Sequence, residues 1–172
     1  DALASHAHLQ RLTPEEQQVL VQAAVTQVVA RMAAARPQTF TERFLSLEKS
    51  RLLSLTHAWL ALERERAPFS VIKPEAERSV VVGGLAFSAR IDRMDRLEDD
   101  TLAIVDYKTG RPDVAQWFGE RPEEPQLPLY SLFATPADLP VGAILFGQVR
   151  LGDMRYKGLA RAPGVAPGVP AL

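Results

Sequence analysis

Along the 172-residue chain the spacing of apolar positions changes once, near Pro74, separating a helical first part from a mainly stranded second part. Thr13-Pro14-Glu15-Glu16 has the marks of a helix start: a capping threonine, a proline suited to the first turn, and a glutamate placed to close a capping box. The helix predicted there runs to about Arg36, before Pro37. Val19, Leu20, Ala23, Ala24, Val28 and Met32 lie along it at roughly helical spacing, and with so few charges it is expected to be well buried. A second start at Thr41-Glu42 opens the stripe Phe44, Leu47, Leu52, Leu55, Trp59 and Leu62, which should stop near Ala67-Pro68.

Beyond Pro74 the spacing predicts strands over Ser79–Val82, Leu85–Arg93 and Leu102–Tyr107, with turns at Gly83-Gly84 and Glu98–Thr101, together an antiparallel meander. A proline- and charge-rich loop, Arg111–Pro125, leads to a helix over Gln126–Phe133. Two more strands follow, Ala143–Leu151 and Arg155–Leu159, divided by a Gly152-Asp153 turn. The segment 162–172 alternates proline and glycine with small residues and is expected to be a flexible tail with little means of packing. No internal repeat is present.

Composition narrows the function classes. Hydrophobic residues make up 47% of the chain, enough for one compact domain or a small domain with an appendage. Twenty basic residues against 21 acidic ones leave a formal charge of −1, so contact with a polyanion must be local. No apolar run approaches the ~18 residues of a membrane span and no secretory leader is apparent, which points to the cytoplasm and away from membranes. The absence of cysteine excludes disulfides, thiolate zinc sites, cysteine nucleophiles and cysteine-held iron–sulfur clusters. Metal chemistry here must use oxygen and imidazole ligands.

Candidate chemistry lies in Ile91-Asp92-Arg93-Met94-Asp95 and Ile104-Val105-Asp106-Tyr107-Lys108-Thr109-Gly110. If residue 97 pairs with 101 across the turn, Asp92 falls opposite Asp106, where Cβ atoms are about 4.5–5.5 Å apart. Alternation puts Asp106 and Lys108 on one face and turns Tyr107 to the other. Two crowded carboxylates repel unless a cation compensates, and a hard divalent ion such as Mg²⁺ or Mn²⁺ suits all-oxygen ligands. Lys108 beside it can orient or help deprotonate an attacking water, or stabilise charge on a phosphoryl oxygen. A lone D-x-K triplet, however, arises by chance in many proteins.

Three coupled segments add specificity. Ala89–Asp95, Ile104–Gly110 and Gln126-Leu127-Pro128-Leu129-Tyr130 together resemble the RecB-type branch of the PD-(D/E)XK nucleases in order and spacing, over about residues 75–160. Ala89 stands where that branch usually has glycine, and Ile91 where the superfamily's name has proline. The resemblance implies an α/β restriction-endonuclease-like core, a mixed sheet flanked by helices, with a helical part over 1–70, a nuclease core over 71–161 and the tail after it. It implies a divalent-metal-dependent DNA exonuclease of repair or recombination, acting on single- or double-stranded ends, in partnership with a helicase or other regions of a longer polypeptide. Asp92 and Asp106 take the place of the metal-binding carboxylates and Lys108 that of the catalytic lysine. Gln126 and Tyr130 correspond to a helix pair supporting the site and the substrate strand. The Tyr107 carbonyl and Glu77 correspond to further metal ligands. Such nucleases also use a histidine from an upstream helix. The surroundings of His6 and His8 fit that segment poorly, so the histidine is expected before residue 1, in a longer protein. The contrasting expectation is a catalytically silent DNA-binding or scaffolding module of a repair complex.

Other residues receive mostly structural assignments. His57 reads as a helix-surface or packing residue, Trp59 as core, and Glu63-Arg64-Glu65-Arg66 as a solvated face. Arg93, Arg96 and Arg111 flank the candidate site, where phosphate contact and salt bridges to Asp95 or Glu98 are equally open. Trp117 and Phe118 either stack on an unpaired base or anchor their loop to the core.

Overall fold

A computed structural model describes residues 3–72, 78–82, 84–133 and 138–172. A short helix α1 (His6–Arg11) precedes α2 (Pro14–Ala35), whose Thr13 cap and Glu16 form the expected reciprocal capping box. Helix α3 (Glu42–Glu63) is capped by the Thr41 hydroxyl and ends one turn before the predicted stop. Strands β1 (Phe69–Ile72), β2 (Arg78–Val82), β3 (Leu85–Ala89), β4 (Arg93–Leu97) and β5 (Leu102–Lys108) follow. A 3-10 turn (Val114–Trp117), helix α4 (Gln126–Phe133) and strands β6 (Val141–Gln148) and β7 (Arg155–Ala160) complete the order.

Five strands form one sheet in the order β1-β4-β5-β6-β7, with β2 and β3 a separate ribbon. Only β5 and β6 run parallel, joined by the crossover through α4, so the sheet is mixed and flanked by helices as expected. The predicted strand Leu85–Arg93 is in fact two: β3 pairs with β2, and β4 pairs with β1 and β5. The chain changes sheets across Arg90-Ile91-Asp92, which breaks the meander at the candidate site. Strand β1 escaped the reading because it has four residues between prolines 68 and 74. The turn from β4 to β5 closes with the Leu97 amide donating to the Thr101 carbonyl at 2.8 Å, and Asp100 takes a left-handed conformation in it (φ 60°).

Helix α2 does not bury the stripe predicted for it. Val21, Val25 and Val29 face inward, while Val19, Val28 and Met32 are exposed. Alanine and valine run nearly all round this helix, so spacing alone cannot select a face, and the inward stripe packs with Leu60, Leu52 and Leu53 of α3. By length and composition α2 is apolar enough to cross a membrane, with mean hydropathy 1.2 over an 18-residue window, so the expectation that no apolar run reaches that length fails here. Among the described residues it is the one such helix.

One side of the sheet buries Ala103, Val105, Leu145 and Tyr156 beneath Trp59 of α3. Gly147 permits this close approach: a Cβ there would lie 2.8 Å from ring atoms of both Trp59 and Tyr107. The proline–glycine tail closes the same side. Val165, Ala166 and Val169 are buried in this cluster, the Ala67 amide donates to the Gly164 carbonyl, and Ala171 bridges to β7. The expected flexible tail is thus packed; its few apolar side chains fit a surface that composition does not reveal. The other side buries Met94, Leu102, Ile104 and Phe146 beneath Leu127 and Tyr130 of α4 and Trp117.

Candidate active site

The β4–β5 register runs from Arg93↔Val105 to Arg96↔Leu102 and, continued by one residue, sets Asp92 opposite Asp106 as expected. Asp92 itself lies in the bend before β4 and is exposed. Its Oδ2 accepts the Tyr107 amide at 3.0 Å, which ties the bend to the end of β5. Asp106 sits on the central strand and is 7% exposed. The Lys108 ammonium, two residues on and on the same face, lies 2.9 Å from Asp106 Oδ2. That buried oxygen nevertheless accepts no well-aligned hydrogen bond among the described residues.

Burial raises the Asp106 carboxyl above its ordinary value; Lys108 opposes this, and the charges of Asp92 and Glu124 add to it. For Lys108 burial works the other way, yet contact with Asp106, helped by Glu124 and Asp92, outweighs it and holds the ammonium above its usual value. One ammonium thus feels the charge of three carboxylates and is ion-paired with one of them, Asp106. Sequence reasoning missed Glu124, whose one signal is a position two residues before Gln126 in the motif-bearing segment. It lines a cavity of about 190 Å³ together with Lys108, Gln116 and Phe146.

Gln126 and Tyr130 lie one turn apart on α4. The Gln126 side-chain amide donates to the Tyr130 hydroxyl at 3.0 Å, and the same hydroxyl accepts the Arg90 amide at 3.2 Å. This pair grips the segment that carries Asp92. Tyr107 points to the opposite face, with its ring edge-on to Trp59 and its hydroxyl accepting from Arg93 at 3.1 Å. Gln148, beside Lys108 in the β5–β6 register, is fully buried and has no partner for its Oε1 among the described residues.

His6 lies 3.2 Å from the Arg64 carbonyl and packs on Phe69, which takes it away from this group; His8 follows on the same short helix, its amide bonded to the Ser5 hydroxyl, and His57 lies 3.3 Å from the side-chain amide of Gln17. Glu77 falls outside the described residues. Among those described, no three His, Asp or Glu side chains gather as a ready metal cage. What they offer is two opposed carboxylates with an excess of negative charge, a hard-oxygen set that fits Mg²⁺ or Mn²⁺ if waters fill the remaining positions.

Arg93 and Asp95, next to Asp92 in sequence, point to the other side. Asp95 accepts from Arg66 at 2.7 Å and from Arg93 at 2.7 Å, and Glu63 pairs with Arg93 at 3.0 Å and with Arg66 at 3.3 Å. Tyr156 donates to Glu63, and the Arg66 guanidinium stacks over Phe69 at 4.4 Å. Glu63 and Arg66 are therefore buried partners and not the solvated face their sequence suggests. Period-two alternation from Asp92 was the available clue that Arg93 and Asp95 face away from it. Arg96 pairs with Asp100 at the surface, and Arg111 lies 3.6 Å from Asp153. Trp117 anchors its loop against Phe146, while Phe118 is exposed.

No curated protein and no solved structure matches this chain. A family profile, that of the PD-(D/E)XK nuclease superfamily, matches residues 1–162, which takes in the helical part as well as the sheet. Members of this superfamily are typically phosphodiesterases and generally use Mg²⁺ or Mn²⁺. With nearly the whole length covered, and with a mixed sheet flanked by helices as its scaffold, the chain belongs to the PD-(D/E)XK nuclease superfamily.

Proposed function

We propose that this protein is a divalent-metal-dependent DNA nuclease of the RecB-type branch, an exonuclease acting at DNA ends in repair or recombination. The observation that carries the reading is the buried, poorly satisfied Asp106 oxygen facing Lys108 beneath an excess of carboxylates. Asp92 and Asp106 would hold the ion, and the Tyr107 carbonyl and Glu77 remain candidate additional ligands. The ion, when bound, supplies Lewis-acid polarisation of the phosphodiester and activation of a water. Asp106 is fixed by its strand, whereas Asp92 is fixed by the Tyr107 amide and, at one remove, by Gln126 and Tyr130. Lys108, beside Asp106, would act as a hydrogen-bond donor and positive charge toward a phosphoryl oxygen or orient the attacking water. In this reading DNA is the substrate, and a helicase or another part of a longer polypeptide delivers it.

Single-turnover cleavage of linear single- and double-stranded DNA with Mg²⁺ or Mn²⁺ tests this. Lys108→Ala should slow cleavage by roughly 10²–10³-fold with DNA affinity nearly unchanged. Wild-type protein that cuts neither substrate favours the silent scaffold, a reading motivated by the two-carboxylate set among the described residues. Equal rates in wild type and Lys108→Ala would place the reaction elsewhere.

A further inference from the structure

The face of the sheet that carries Asp106 and Lys108 also gathers basic side chains at one end. The register sets Lys108 beside Gln148 and Gln148 beside Arg155, so this row across β5, β6 and β7 shares a face, as does the row Asp106, Phe146 and Lys157. At a spacing of about 4.8 Å per strand, the Arg155 backbone is about 10 Å from that of Lys108. Arg111, from the loop after β5, lines the same cavity as Lys108, Gln116 and Glu124. The Lys157 ammonium donates to the Pro112 carbonyl at 2.8 Å and so tethers that loop to β7.

Asp153 joins the two arginines. One of its carboxylate oxygens pairs with Arg155, the other lies 3.6 Å from Arg111 Nε, and its carbonyl accepts from the buried Gln148 side chain at 2.8 Å. One acid thus stands against two guanidiniums, whose side chains are 70% exposed in Arg111 and 56% in Arg155. Each guanidinium has five donors, and Asp153 is the acid that either meets among the described residues, which leaves most of those donors open to a bidentate anion. The other two arginines that flank the site in sequence are placed differently. Arg93 is committed to Glu63 and Asp95 on the opposite face, and Arg96 is matched one to one by Asp100 at the turn from β4 to β5, the far end of the strands. In a chain of formal charge −1, local excess of this kind is what can hold a polyanion.

Resting on the proposed function, we infer that Arg111 and Arg155, held together by Asp153, seat one backbone phosphate of the DNA strand next to the phosphodiester that is cut. A phosphate contact carries no base information, so the seat fixes the strand's position irrespective of its sequence.

Fluorescence anisotropy of end-labelled single-stranded and duplex DNA, over a salt series with Ca²⁺ replacing Mg²⁺ or Mn²⁺, tests the seat. Arg111→Ala and Arg155→Ala should each weaken binding about fivefold, and the double variant should flatten the slope of log affinity against log salt by about 0.7 on single strands or 0.9 on duplex, as for one lost phosphate contact. Arg111→Lys should keep the wild-type slope, and Arg96→Ala should change affinity by less than about twofold. A single uncharged methylphosphonate linkage, moved stepwise from the DNA end, should weaken wild type at one position and leave the double variant unchanged there. Alanine variants that lose no more than Arg96→Ala would make the arginines partners of Asp153 alone, and a methylphosphonate profile identical in wild type and double variant would put every contacted phosphate elsewhere; either overturns this proposal by itself. Wild-type protein that binds neither DNA overturns the reading of DNA as substrate, and this proposal with it.

Discussion

On one face of the central sheet Glu63, Arg66, Arg93 and Asp95 match two acids with two bases, each paired by at least two contacts and all nearly sealed from water. At the end of β5 on the other face, Lys108 is ion-paired with Asp106, and the further negative charges of Asp92 and Glu124 act on the pair. The two groups meet around β4, which gives Arg93 and Asp95 to the first, and Asp92 of the second is adjacent to Arg93 in the chain. Charges balanced one against one hold elements together, although one Arg66 nitrogen there has no partner among the described residues; the unbalanced acids around Lys108 are, in the proposed reading, what would take a cation.

Breaking the balanced face should have the largest effect. Asp95→Ala leaves two buried guanidiniums sharing Glu63 and should cost about 3–5 kcal/mol in urea unfolding. A loss under 1 kcal/mol would show that this network is not what separates the two faces.

A smaller loss is expected from packing on that face. Gly147→Ala forces a methyl within 2.8 Å of Trp59 and Tyr107, and should lower stability by about 1–3 kcal/mol. Cleavage chemistry should survive in the folded fraction, since both rings point away from Asp106. Single-turnover rates alongside urea unfolding would separate the two effects.

The smallest effect should have the opposite sign. Burial raises the Asp106 carboxyl in the folded state, so the native protein holds this proton more tightly than the unfolded chain does. Stability is consequently lost as pH rises from the ordinary carboxylate value through the raised one, and the cost is fully present above it. In metal-free buffer Asp106→Asn should match wild type in acid and gain a modest advantage as pH climbs through that window. Urea unfolding at stepped pH measures the gap; an advantage confined to acid would contradict the assigned direction.

Much of this was legible where the determinants are local. Thr13 and Glu16 announce a capping box within four residues, and the turn at residues 98–101 sets the register that opposes Asp92 and Asp106. What stayed hidden depends on distant partners. Glu63 and Arg66 read as a solvated run because Asp95 and Tyr156, which justify their burial, lie 29 or more positions away. Val21, Val25 and Val29 could not be told from the other apolar positions of α2 without knowing where α3 lies. Glu124 joins the site only when the loop folds back through Gln116, a contact no spacing rule encodes. The three-part motif marked the candidate residues, but Asp92 proved to sit at a change of sheet and not within a strand.

The packed tail also bears on the order in which the molecule can be completed during synthesis. Arg66 Nε donates to the Val165 carbonyl across 99 positions, and Val165, Ala166 and Val169 cover the cluster that surrounds Tyr156. A nascent chain halted before residue 165 can pair β4 with β5, but it leaves that apolar surface open and one guanidinium donor unmet. Closure of the core is therefore a late, long-range event, and until it occurs the growing polypeptide presents sticky surface to its neighbours.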